Sequence, residues 1–221
     1  MDHDTLFKTL LKRPAILQAF FEAFVPKAAP FIDFAVLEFL DKERITAHGR
    51  KRTGDLLIKT RFRGKPAGFL IHIEHQAQQD ATPARRMLEY FLLDWQGYDL
   101  PVYPVAVLSY RRATPSEFSH LAVDFPNKRV LCFDFDVIDP ARMDAEACVK
   151  IPNPATLALA ARMRFKKENQ LSLIKNFAFT LAPMTMARSV RDMVASFFFA
   201  YLRLGEAEDL QLRQEILTND E

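Results

Sequence analysis

The chain holds only two cysteines in 221 residues, Cys132 and Cys148. That is too few for a disulfide framework, and their separation matches no metal-ligand motif. With no secretory leader at its start, the expected setting is reducing and cytoplasmic. Long apolar runs are also missing. The most apolar stretch, residues 197–204, is broken by Arg203 and falls well short of the roughly 20 residues of a membrane helix, so no membrane partner is expected. Internal repeats and low-complexity segments are absent. The net charge of +2 is too small to argue for a polyanionic partner by itself.

What is present is a substantial apolar fraction, 49% hydrophobic and 12% aromatic, enough to bury a core in one large domain or in one domain plus an appendage. The basic residues are concentrated. Between positions 42 and 65 lie Lys42, Arg44, Arg50, Lys51, Arg52, Lys59, Arg61, Arg63 and Lys65, against only Glu43 and Asp55. Such an excess suits phosphate neutralisation with counterion release. A solvated hairpin carrying solubilising charge explains it equally well.

Periodicity orders the elements. Leu6, Phe7, Leu10 and Leu11 repeat at helical spacing behind Asp4, which reads as an N-cap. Pro14 suits the first turn of a second helix whose Leu17, Phe20, Phe21 and Phe24 form an apolar stripe ending at Val25-Pro26. A short strand is expected over 36–40, then a hairpin of strands 55–62 and 68–76 about a turn at Arg63-Gly64-Lys65-Pro66. A helix over 82–98 follows, with Met87, Tyr90, Phe91 and Asp94 on related faces. Buried strands are expected over 101–110 and 129–137. From Pro154 onward the pattern turns helical, over 155–164, 168–181 and 185–204, with 206–221 as an exposed charged end. The expectation is an α/β fold over 1–150 and a helical C-terminal region over 151–221.

With Gly64 and Lys65 at the centre of a regular hairpin, residues whose numbers sum to 129 face one another, which pairs Asp55 with Glu74. Opposed side chains share a sheet face with Cβ atoms roughly 4.5–5.5 Å apart, close enough for two carboxylates to share a cation. Oxygen ligands of this kind suit Mg²⁺ or Mn²⁺. Period-2 alternation adds Gln76 to that face, and Lys59 and His72 further along it. His75 points the other way, so His72, Glu74 and His75 do not converge on one zinc ion. The phenylalanine stripes at Phe20-Phe21 and Phe197-Phe198-Phe199 read as core.

At these residues the chain resembles the PD-(D/E)XK nuclease superfamily, and within it the Rpn family of recombination-promoting nucleases and putative transposases. The matching pieces are Asp4-Thr5-Leu6-Phe7-Lys8, Arg52-Thr53-Gly54-Asp55-Leu56-Leu57, Ile73-Glu74-His75-Gln76 and Arg85-Arg86-Met87-Leu88-Glu89-Tyr90. Four pieces in order at sensible spacing are more specific than any one of them. The resemblance implies a restriction-endonuclease-like α/β/α core with a mixed sheet, and a Mg²⁺-dependent endodeoxyribonuclease linked to recombination or transposition. It makes Asp55 and Glu74 metal ligands, with Asp4 as a further acid beside its reading as a helix cap. Gln76 falls where the superfamily usually has lysine, so a cation must come from Lys59 or a nearby arginine. Arg50, Lys51, Arg52, Arg85 and Arg86 are the candidate DNA contacts. DNA is the implied partner, with a homodimer as the candidate assembly. Two other readings stay open: an inactive DNA-binding or protein-interaction module that keeps the fold, for which Gln76 is the reason, and a purely structural cluster of acids paired with Arg52 and Lys59.

Overall fold

The apolar residues at helical spacing build α1 (His3–Leu11), with Phe7, Leu10 and Leu11 buried, and α2 (Pro14–Phe24), with Pro14 in its first turn and Ile16, Leu17, Phe20 and Phe21 buried. Asp4 is the second residue of α1 and not the cap ahead of it. An acid in the first turn still complements the helix dipole, which explains why the sequence signal sits one position inside the boundary. The computed structural model describes residues 3–40, 43–45, 51–53, 56–76, 83–108 and 119–202.

Nine strands are described: β1 (Glu38–Leu40), β2 (Glu43–Ile45), β3 (Lys51–Thr53), β4 (Leu56–Arg61), β5 (Gly68–Gln76), β6 (Val102–Leu108), β7 (His120–Phe125), β8 (Lys128–Asp134) and β9 (Asp136–Ile138). Five of them form a mixed sheet in the order β1-β4-β5-β6-β9. The β1–β4 and β4–β5 pairs are antiparallel, whereas β5–β6 and β6–β9 are parallel. A parallel step needs a crossover, which α3 (Pro83–Tyr98) supplies between β5 and β6. The pairs β2–β3 and β7–β8 are separate antiparallel ribbons.

The chain divides into two compact units, Met1–Asp139 and Pro140–Glu221. In the first, the sheet is covered on both faces. On one face Phe7 of α1 stacks against His75 of β5, ring centroids 4.6 Å apart. On the other, Met87 of α3 joins Ala106, Leu108, Phe133 and Phe135 in one buried cluster. Full burial of a methionine, leucine or phenylalanine of this cluster stabilises the fold by about 1.5–3 kcal/mol. The fold is thus the mixed α/β architecture expected from the alternation of helix and strand signals.

Two strand expectations need correction. The stretch 129–137 is not one strand: β8 pairs with β7, and β9 crosses to the main sheet beside β6, with buried Phe135 at the switch. The ribbon strand β7 was not anticipated at all. Its second half is exposed, so it lacks the apolar alternation that marks a half-buried strand.

The second unit contains α4 (Ala145–Cys148), α5 (Pro154–Leu159), α6 (Gln170–Leu181) and α7 (Arg188–Tyr201). Asp144 and Asn153 accept bonds from the first free backbone N–H groups of α4 and α5. Phe177 of α6 stacks on Phe198 of α7 with centroids 3.9 Å apart; Phe197 and Phe198 are core as expected, whereas Phe199, read as core with them, is 42% exposed because it lies on another side of the helix. Among the described residues, no helix is long and apolar enough to cross a membrane.

Candidate active site

The β4–β5 hairpin follows the expected register. Leu56 pairs with Ile73, Leu57 with His72, Ile58 with Ile71, and so on to Arg61 with Gly68, each pair summing to 129. The turn closes with the Lys65 N–H donating to the Phe62 carbonyl at 2.9 Å, and Gly64 takes φ +75°. The pair expected next from the same sum, Asp55 with Glu74, falls beyond the described register. Asp55 lies outside the described residues, as does Arg50, and the side chains of Asp4, Lys51, Arg52 and Gln76 are likewise not described.

Glu74 sits near the C-terminal end of β5, on the face covered by α3. It is only 6% exposed, and its surroundings are specific. His72, two residues earlier on the same face, is fully buried, with Nε2 3.5 Å from Glu74 Oε2 and Nδ1 3.5 Å from Asp94 Oδ2. Asp94 is 1% exposed and projects from α3, one turn after Tyr90, whose ring meets His72 edge-on at 5.3 Å. Arg86, one turn before Tyr90, brings Nη2 to 3.8 Å from Glu74 Oε1. One face of α3 therefore carries Arg86, Tyr90 and Asp94 over the β5 residues His72 and Glu74.

Burial makes these charges consequential. A carboxylate removed from water is tolerated when cationic or hydrogen-bonding groups surround it, and Glu74 has an arginine and an imidazole within 4 Å. His75 points to the opposite face, against Phe7, as strand alternation expects.

The remaining candidates are distributed differently. Lys59 lies opposite Leu70 and pairs at 3.7 Å with Glu38 of β1. Leu70 is four residues from Glu74, about 13 Å along the strand, so Lys59 and Glu74 are not brought together. Arg85 is exposed, while its neighbour Arg86 turns inward to Glu74. Gln76 is the last residue of β5, register partner of Leu108, and Lys51 and Arg52 belong to β3. Asp4 belongs to the first turn of α1, the helix whose Phe7 meets His75.

Sequence reasoning did not join Asp94 to the site. The signal was an acid on the otherwise apolar stripe of Met87 and Tyr90. A carboxylate at a core-facing helical position implies a buried partner. Which partner depends on how α3 crosses β5, and periodicity does not contain that.

In donor chemistry the site offers hard carboxylate oxygen at Glu74, the kind of ligand that suits Mg²⁺ or Mn²⁺. Searches of curated proteins and of solved structures return no match. The family model described as "Putative transposase, YhgA-like" matches residues 1–190. In agreement with the likeness carried by the four sequence motifs, the chain belongs to that family of transposition-related proteins.

Proposed function

We propose that the protein is a metal-dependent DNA endonuclease that hydrolyses phosphodiester bonds during recombination or transposition. The observation that carries the reading is the hairpin register, which runs in step to the last described pair before Asp55 and Glu74. In this reading Asp55 and Glu74 hold a Mg²⁺ or Mn²⁺ ion at the end of the β4–β5 ribbon. Such an ion supplies a water of lowered pKa and polarises the scissile phosphate. Gln76 orients the water by hydrogen bonding. Arg86 supplies the positive charge that the missing lysine would otherwise bring, and its 3.8 Å approach to Glu74 supports that role. Asp94 and His72 act on Glu74 from behind, as positioning residues.

The test is nicking of supercoiled plasmid with Mg²⁺ or Mn²⁺. Asp55→Ala and Glu74→Gln are each expected to lower the rate by more than about a hundredfold, beyond what loss of a supporting partner costs. Equal nicking by wild type and both variants removes the site from consideration. The competing reading is an inactive DNA-binding module, favoured by Gln76 at the usual lysine position. Wild-type protein that binds DNA without cutting it under either metal would establish that alternative.

A further inference from the structure

A second group of donors lies on the β7–β8 ribbon, away from β5. His120 and Asp134 are register partners, and Cys132 stands two residues before Asp134, opposite Ala122. Alternation puts all three on one face, the one opposite Leu121 and buried Phe133. Ligand atoms of the three lie within 4.8 Å of one another. His120 Nδ1 and Asp134 Oδ1 are 2.6 Å apart, and the Cys132 thiol donates to Asp134 Oδ2 at 3.6 Å. We propose that His120, Cys132 and Asp134 form a binding site for a zinc-class divalent cation. This inference does not rest on the nuclease reading.

Donor chemistry selects the ion. One imidazole nitrogen, one sulfur and one carboxylate oxygen suit borderline-soft Zn²⁺, whereas Mg²⁺ and Ca²⁺ prefer oxygen alone. Zinc bonds of about 2.0–2.3 Å in a tetrahedron separate neighbouring donors by about 3.3–3.8 Å. The sulfur–oxygen spacing already falls in that range, and the imidazole–carboxylate pair opens to it by side-chain rotation of groups that are partly or fully exposed. Charge also balances. Arg129 and Asp124 pair with each other at 2.8 Å on the same ribbon, offsetting one another. That leaves the Asp134 carboxylate and the Cys132 thiolate opposite a doubly charged cation.

The alternative chemistry for a Cys-His-Asp group is thiol nucleophilicity. It requires the imidazole to take the thiol proton, but here the thiol donates to the carboxylate. Cation binding instead drives the thiol proton into solvent, one proton for the new metal–sulfur bond. Three protein donors leave the fourth position to water. The ion would tie the open end of the ribbon, where β7 begins and β8 ends.

The experiment uses the tag-free chain of 221 residues, stripped with chelator and titrated with Co²⁺ as a spectroscopic stand-in for zinc. The expected result is a thiolate-to-cobalt charge-transfer band saturating at a single equivalent and erased by Zn²⁺. Cys132→Ser removes the band and Cys148→Ser retains it. His120→Ala and Asp134→Asn each weaken cobalt affinity by more than about tenfold. Glu74→Gln leaves the band intact, separating this site from the nuclease site. Absence of the band in wild type overturns the proposal. So does a band that survives Cys132→Ser, or cobalt affinity unchanged in both His120→Ala and Asp134→Asn. Far-ultraviolet circular dichroism shows that each variant has folded.

Discussion

His72 is a polar side chain with no exposed surface, flanked by carboxylates on two different elements. A buried imidazole in such a position specifies how α3 settles on β5, because neither carboxylate can be replaced by an apolar group without changing what the other faces. Asp94→Ala is expected to destabilise the protein by about 1–3 kcal/mol, the range for removing one member of a buried polar contact. The measurement is the urea midpoint at constant m-value. Asp94→Asn, which keeps shape and hydrogen-bonding capacity, is expected to lose less. An unchanged midpoint in Asp94→Ala would show that the His72–Asp94 approach has no energetic weight. The acid on the strand was legible from sequence because strand alternation and hairpin symmetry are local rules, and both pointed at Glu74. Asp94 and the inward turn of Arg86 were not, because they arise where a helix face meets a strand far along the chain. Lys59 belongs to a third category. Its distance from Glu74 follows from the same sum of 129, and sharing a face is not enough to bring two residues together when they lie about 13 Å apart along the strands.

The β4–β5 hairpin is the element on which the proposed site depends, and its turn holds one conformationally constrained residue. Gly64 adopts φ +75°, a conformation that costs other L-residues about 1–2 kcal/mol. A Cβ added there would meet nothing within 4 Å, so the cost of a side chain at this position is conformational alone. Gly64→Ala is therefore expected to lower stability by about 1–2 kcal/mol without moving the pairing of Leu57 with His72. Chemical denaturation reads the first part, and a Leu57→Cys/His72→Cys cross-link, made with and without the substitution, reads the second. Loss of the cross-link only in the Gly64→Ala background would mean that the turn sets register as well as stability. This hairpin was readable because its turn residues and alternating strands agree. The β8–β9 boundary was not, because residues 129–137 continue an extended pattern through Phe135 while the chain exchanges one partner, β7, for another, β6. Local pattern reports that a segment is extended and buried. It does not report which strand lies beside it.

At the scale of the whole molecule, a net charge of +2 and a sequence pI of about 8.5 give little long-range attraction to a polyanion, so the proposed DNA binding would have to come from local concentration of cations. Three of the basic residues of the 42–65 stretch, Arg44, Lys51 and Arg52, lie on the β2–β3 ribbon. Arg44 and Arg52 are register partners there, with Lys51 beside them opposite Ile45. Like charges at partnered positions cost stability unless an anion offsets them, and a phosphate backbone is one anion that would do so. If Lys51 and Arg52 each neutralise one phosphate, the double variant Lys51→Ala/Arg52→Ala should reduce the slope of log affinity against log salt by about 1.8, at about 0.9 per phosphate on duplex DNA. Binding should weaken by a similar factor on unrelated duplex sequences, because phosphate contacts carry no base information. The measurement is fluorescence anisotropy with a labelled duplex across a salt series, in the Glu74→Gln background and without divalent metal, so that binding is read apart from cleavage. A slope identical to that of the parent protein would assign these cations to solubility, and DNA contact would then have to be sought on α3, where Arg85 stands exposed beside the Arg86 that reaches Glu74.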